Sequence, residues 1–282
     1  MADETPQDEY VKVGEVNSRY WVQGSQGSTV ILIHGIGAAV DSWASNINAL
    51  AEKHRVYAID LVGFGRSDKP SVEYSLPFFA QYVKDFMETQ NIDRASLIGW
   101  SLGGGVCLQF AIQFPERLDK LILLDSMGFG RETHLMFRLS AIPFVGNILS
   151  RPSKKGTVRF LKECVFDNTL ITDEIVELYY QFSALPGAHA AWLNAVCSNA
   201  SFGGVKKEVI QAFQDNLGAM IKPTLIIWGK QDRVLPLKQA YIGESWIPNV
   251  RVHLIDDCGH CPQMEHPEEF NTRVLEFLNN EK

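Results

Sequence analysis

The 282-residue chain has no apolar run long enough to cross a bilayer. Its longest apolar stretches, such as Thr29–Ile33 and residues 121–124, fall far short of the roughly 20 residues a helical span needs. Residues 1–9 are polar and acidic, with no basic start before an apolar core, so no secretory leader is expected. Cysteine is sparse and odd in number: Cys107, Cys164, Cys197, Cys258 and Cys261. That set makes a poor disulfide framework, and reduced thiols in a cytoplasmic protein are expected. Positive charge is in the minority, 26 Lys plus Arg against 33 Asp plus Glu, for a net charge of −7. Such a surface repels phosphate backbones, which argues against nucleic acid as a partner. There are no repeats, low-complexity tracts or long Pro- or Ser-rich linkers. A phosphate loop is also missing, because neither Gly63-Phe64-Gly65 nor Ser201-Phe202-Gly203-Gly204 runs on into Lys-Ser/Thr.

What is present is an ordinary globular balance, 46% hydrophobic and 21% charged. Two β-prone runs, 10–16 and 19–23, read as a hairpin turning at Asn17–Ser18. Buried strands and amphipathic helices then alternate. Strands are expected at 30–33, 55–60, 95–99 and 120–125, and helices at 43–53, 77–89 and 102–114. Fully apolar strands between amphipathic helices predict a parallel sheet covered on both faces. From about residue 128 to 220 the pattern is helical, with segments at 158–165, 172–182 and 188–196 and no strong strand. After Pro223 the alternation resumes, with strands at 224–228 and 250–255 and helices at 237–245 and 267–278. The division is therefore a core of residues 1–127 and 221–282, interrupted by an all-helical cap of residues 128–220. An insertion of that length is too long for a simple connection and reads as a lid over the strand ends, where open α/β sheets place their ligands.

Gly99-Trp100-Ser101-Leu102-Gly103 follows a buried strand and opens a helix, the setting a G-x-S-x-G nucleophile elbow requires. The turn is tight enough to strain the serine, so small residues must flank it. Ser101 needs a base, and in the order serine, acid, histidine the base comes last. His260 lies just past the final strand and Asp232 just past the preceding one, both on the sheet edge that carries Ser101. Ser101, Asp232 and His260 are the expected catalytic residues. His34-Gly35-Ile36-Gly37 follows the strand at 30–33, so the backbone N–H groups of Ile36 and Leu102 are the expected oxyanion donors. His34 itself is expected to hold that loop.

The chain resembles an α/β-hydrolase from end to end. Asp60-Leu61-Val62-Gly63-Phe64-Gly65-Arg66-Ser67 is similar to the family's D-x-x-G-x-G-x-S loop, and Gly259-His260-Cys261-Pro262-Gln263-Met264-Glu265-His266-Pro267 to its histidine block. The resemblance implies an α/β-hydrolase fold, an eight-stranded mostly parallel sheet flanked by helices with an inserted helical cap. Residues 165–174 further resemble the cap of the meta-cleavage-product hydrolases, which break C–C bonds in vinylogous diketones. Where that subfamily usually has Asn before the serine, this chain has Trp100; where it has Trp after the histidine, there is Cys261. A substrate-binding arginine is replaced by Tyr179 on an ungapped reading, and a G-P-G-A loop by Gly37-Ala38-Ala39. Losing the arginine removes a charge-assisted grip on a carboxylate.

Trp100, Tyr179 and Cys261 are accordingly candidate substrate contacts, and the cap aromatics Phe137, Phe144, Phe160, Tyr180, Phe182 and Trp192 are expected to pack on the core or face the cleft. Cys258-Gly259-His260-Cys261 has the spacing of a redox or metal motif, but Pro262 follows at once and the histidine already has a role. His189 reads as structural. No metal or organic cofactor is implied; the partner is a small-molecule substrate, and the oligomeric state is left open. The favoured reading is a serine carboxylesterase acting on small to medium apolar esters through an acyl-enzyme. The alternatives are a C–C bond hydrolase of meta-cleavage-type diketones, a lyase, and, in another class, a small-molecule receptor on a hydrolase scaffold.

Overall fold

The computed structural model describes residues 5–280, so part of the polar opening segment lies outside the described residues. The chain begins with β1 (Glu9–Val13) and β2 (Val16–Gln23), an antiparallel pair. The turn falls at Gly14-Glu15, not at Asn17–Ser18, with Gly14 at φ 57° as a two-residue hairpin loop favours. Asn17 and Ser18 belong to β2, and their polar groups go to distant partners. The Asn17 N–H donates to Asp68 at 2.7 Å, and Ser18 accepts the Tyr82 hydroxyl at 2.7 Å.

β3 (Thr29–Ile33) follows, then a 3-10 turn at Val40–Trp43 and a short α1 (Ile47–Ala51) in place of the longer helix expected at 43–53. The break comes at Asn46, which is buried and donates to the Gln263 carbonyl and to Asn271, both at 3.0 Å. Next come β4 (Arg55–Ile59), α2 (Leu76–Thr89), β5 (Ala95–Trp100), α3 (Leu102–Gln113) and β6 (Leu118–Leu124). α2 buries Phe79, Val83, Phe86 and Met87 along one stripe.

The helical stretch then runs α4 (Leu135–Ser140), α5 (Val145–Leu149), α6 (Lys154–Cys164), α7 (Asp173–Ala184) and α8 (Ala188–Asn199). A two-stranded ladder, β7 (Ala200–Ser201) and β8 (Gly204–Val205), escaped the sequence pattern, and α9 (Lys207–Asn216) closes the stretch. α7 begins as its sequence suggests: Thr172 Oγ1 accepts the Ile175 N–H, with Asp173 and Glu174 in the first turn. β9 (Thr224–Gly229), α10 (Lys238–Trp246), β10 (Val250–Ile255), α11 (Pro262–Glu265) and α12 (Pro267–Asn279) complete the chain. No described helix is long and apolar enough to cross a membrane.

The main sheet has eight strands in the order β1-β2-β4-β3-β5-β6-β9-β10, parallel from β4 to β10. This is the α/β-hydrolase architecture. β5 and β9 are buried along their whole lengths, as two covered faces require. β6 and β9 are direct neighbours, with Leu124 opposite Ile227, although the helical stretch separates them in sequence. At the other side Arg19 is 1% exposed and grips three carboxylates, Asp8 at 2.6 Å, Asp41 at 2.8 Å and Asp60 at 3.4 Å. Asp60 also accepts the N–H groups of Val40 and Arg66, each at 2.7 Å, so it pins the loop that carries Gly63-Phe64-Gly65.

Candidate active site

Five parallel strands end on one edge, and each contributes to the site just beyond its last residue. Ser101 follows β5, Asp125 follows β6, Asp232 lies past β9, His260 past β10 and Ile36 past β3. Ser101 sits at φ 55°, ψ −115°, a strained conformation for a residue with a side chain. The crowding beneath it explains the glycines. A Cβ on Gly99 would lie 2.3 Å from the Gly103 carbonyl oxygen, and one on Gly103 would lie 2.3 Å from that of Ile33. Helix and strands therefore meet backbone to backbone, and the serine is held above the contact.

The Ser101 hydroxyl lies 2.9 Å from His260 Nε2, and His260 Nδ1 lies 2.8 Å from Asp232 Oδ2. The other Asp232 oxygen accepts the N–H groups of Val234 at 2.7 Å and Leu235 at 3.0 Å, which fixes the carboxylate plane. The Asp232 and His260 side chains are 0% and 3% exposed, so the chain of hydrogen bonds runs in a dry setting. Ile36 and Leu102 both line the cavity at Ser101. Leu102 opens α3, so its N–H has no acceptor within its own helix. His34 is buried and donates from Nδ1 to the Gly35 carbonyl at 2.7 Å while Nε2 accepts the Leu61 N–H at 3.0 Å. It is thus neutral and holds the Ile36 loop, and burial lowers its pKa to about 4.

Two groups were missed from sequence. Asp125 is fully buried, and its Oδ1 accepts the Gly229 N–H at 3.0 Å. Burial first, and then the charge of Asp232, hold its carboxyl well above the usual range. Its other oxygen has no hydrogen-bond partner while both carboxyls are ionised; protonated, it has an O–H to give to Asp232. The signal was available, since Asp125 directly follows a buried strand on the same edge as Ser101. The second is Glu265, which accepts the N–H groups of Phe166 at 2.6 Å, Gly259 at 2.9 Å and Cys261 at 3.3 Å. With the His260 N–H donating to the Cys164 carbonyl at 2.6 Å, it clasps the end of α6 to the histidine loop.

The three candidate substrate contacts take other positions. Trp100 lines neither cavity; its Nε1–H donates to the His260 carbonyl at 2.6 Å, and its ring lies 5.7 Å from the imidazole. Tyr179 directs its hydroxyl at the Met264 sulfur, 3.8 Å away, and Cys261 is buried; neither lines either of the two cavities described below. Burial pushes the thiols of both Cys258 and Cys261 up, the opposite of what a reactive C-x-x-C needs.

A cavity of about 50 Å³ lies against Ser101. Ile36, Leu102, Met127, Phe137, Val196 and Val234 make it largely apolar; Ser101, Thr133 and Asn199 are its polar side chains, and among the described residues no charged side chain lines it. The Asn199 amide is committed to Tyr74, Ala195 and Leu76 backbone groups. A second cavity of about 160 Å³ lies between core and cap, lined by Gly37, Phe64, Phe160, Phe182 and Trp192 with Arg151 and His189 among its polar groups. Phe137 of the first stacks on Trp192 of the second with ring centroids 5.9 Å apart, and this pair stands between them. His189, read as structural, lines the outer cavity and bonds Ser150 at 2.9 Å.

The chain matches the profile of the alpha/beta hydrolase fold family over residues 28–151 and 178–267. It is 30% identical to a 2-hydroxy-6-oxo-6-(2'-aminophenyl)hexa-2,4-dienoic acid hydrolase of Metapseudomonas resinovorans, over 96% of this chain and 91% of that one. It is likewise 30% identical to a 2-hydroxymuconate semialdehyde hydrolase of a Pseudomonas strain, over 89% and 87% of the two chains. A mutant meta-cleavage product hydrolase of Pseudomonas fluorescens superposes with a TM-score of 0.83 at 29% identity, covering 96% of this chain and 97% of that one.

Proposed function

The chain belongs to the α/β-hydrolase fold family and is a hydrolase, and from that premise we propose that Ser101, His260 and Asp232 form its catalytic triad and that it cleaves carboxylic esters with a small to medium apolar acyl part. Ser101 Oγ attacks the carbonyl carbon as His260 Nε2 takes its proton. Asp232 keeps Nδ1 protonated and stabilises the imidazolium. The N–H groups of Ile36 and Leu102 receive the developing oxyanion. His260 then protonates the leaving alcohol, and a water repeats the sequence on the acyl-enzyme to release the acid. Residues 128–220 act in this reading as a lid that dries the site.

The observation that carries the ester reading is the uncharged lining of the cavity at Ser101. A substrate whose reacting end bears a carboxylate would be desolvated there without a cation. The second reading, hydrolysis of a C–C bond in a vinylogous diketone, is favoured by the relatives, whose names are those of such hydrolases. On that reading Arg151, in the outer cavity, is the cation left to meet a carboxylate. The receptor reading draws no support from relatives that are hydrolases.

The test is a rate survey of wild type beside Ser101→Ala, with p-nitrophenyl esters of increasing acyl length and one meta-cleavage diketone. Ester cleavage that is fast in wild type and lost in Ser101→Ala is expected. Rapid loss of the diketone with feeble ester cleavage moves the assignment to C–C hydrolysis.

A further inference from the structure

One stretch of the cap runs against the composition of the rest. Residues 133–162 contain Arg138, Arg151, Lys154, Lys155, Arg159 and Lys162 and no acidic residue, in a chain of net charge −7. Lys154 is taken up by Glu177 at 2.6 Å. On α6, Lys155, Arg159 and Lys162 recur at helical spacing on the face opposite the buried Cys164, so they form an exposed basic stripe.

The same stretch presents the apolar side chains Leu135, Phe144, Val145, Ile148 and Leu149 to water. Phe144 is 87% exposed and Ile148 65%. Phe144 was expected to pack, yet it stands outward at φ 66°, a conformation bulky residues avoid. Phe202, at the tip of the β7–β8 ladder, widens the patch: the Arg138 guanidinium lies 5.2 Å over its ring, and Arg138 Nε donates to its carbonyl at 2.8 Å. The outer cavity opens at this place, since Leu149, Arg151, Ser153 and Gly156 line it and are exposed.

Scattered exposed apolar residues need no explanation, but a run of them in a cation-rich stretch that also lines the mouth of an apolar cavity does. A nucleic acid would meet the cations and leave the apolar side chains uncovered. A bilayer with anionic headgroups meets both, because phosphates face the cations while the apolar tips enter the acyl boundary. The remaining, acidic surface would be repelled from such a membrane, which fixes the orientation. We propose that α5, with the outer face of α6, docks this protein on anionic lipid surfaces, so that the outer cavity opens toward the bilayer. The docking stands whichever bond the site cleaves.

The test is flotation with vesicles of phosphatidylcholine alone and of phosphatidylcholine with about a third phosphatidylglycerol. Recovery with the anionic vesicles only is expected, weakened as salt is raised to about 0.5 M. The double variants Phe144→Ser/Ile148→Ser and Lys155→Glu/Arg159→Glu should each lower the bound fraction about tenfold or more, with unchanged thermal melting. Failure to float with either vesicle, or binding that both variants retain, overturns the proposal. So does a concentration-dependent dimer in lipid-free sedimentation equilibrium that Phe144→Ser/Ile148→Ser abolishes, because the patch would then be a contact between copies.

Discussion

Asp125 and Asp232 each stand past a buried strand on the same sheet edge, yet their surroundings set them different tasks. Asp232 has two backbone N–H donors and an imidazole to stabilise its charge; Asp125 has one N–H donor and a neighbouring carboxylate. A neutral Asp125 that donates to Asp232 satisfies both. On this account Asp232→Asn lowers kcat by about four orders of magnitude, because the imidazole loses the acceptor that sets its tautomer. Asp125→Asn offers a carbonyl to Gly229 and an amide N–H to Asp232, so kcat stays within about tenfold. Asp125→Ala strands both partners and costs roughly 1–3 kcal/mol in denaturant unfolding. His34 makes a prediction about pH. Its native pKa, lowered by burial to about 4, lies below the ordinary value of 6.5, so between these the unfolded chain binds the extra proton. Stability therefore falls as pH drops from about 6.5 to 4, by on the order of 3 kcal/mol, and this group takes no more below that. Melting curves across this range should show a shallower acid loss in His34→Gln than in wild type.

Elements built from local pattern were the legible ones. Apolar β-branched runs gave the parallel strands, and Thr172 with Asp173 and Glu174 gave the start of α7. What misled was polar residues whose partners lie far away in sequence. Asn17 and Ser18 look like a turn until Asp68 and Tyr82 are brought beside them. Asn46 breaks a helical period because Gln263 and Asn271 arrive from the chain's other end. At the site, residue order and strand position sufficed to choose Ser101, His260 and Asp232, which the structure brings within hydrogen-bond distance in sequence. Trp100 and Cys261 were chosen as chain neighbours of Ser101 and His260, and Tyr179 as the residue standing where a resembled cap has an arginine; neither ground says which way a side chain points. The Phe137–Trp192 stack joins α4 and α8 and could not be seen before the cap was folded. It predicts a specificity change: Phe137→Ala should merge the two cavities and move the preferred acyl length upward by several carbons, measured as kcat/KM across an ester series. An unchanged profile would mean that the wall lies elsewhere.

At the scale of the molecule, two charged side chains, Arg19 and Glu265, join parts remote in sequence. Arg19 draws together the N-terminal segment, the β3 loop and the β4 loop; Arg19→Met keeps volume but leaves Asp60 without its cation. A cost of about 3–5 kcal/mol is expected for breaking such a pair, read from chemical denaturation. Glu265 and the His260–Cys164 contact join cap to core, and Glu265→Ala should lower kcat while hydrogen exchange at Phe166 and Gly259 quickens. The position of the cap has a further consequence. The Val205 N–H donates to the Arg131 carbonyl at 2.9 Å, so residues 131 and 205 lie side by side at the two ends of the inserted helices, and the entropy of closing that loop grows only slowly with its length. The core is therefore expected to tolerate exchange of the helices between these two points while the sheet beneath is preserved. The clasp sets the one condition of entry: a newcomer must offer a carbonyl to the His260 amide and an N–H to Glu265, or it covers the site without steadying the base.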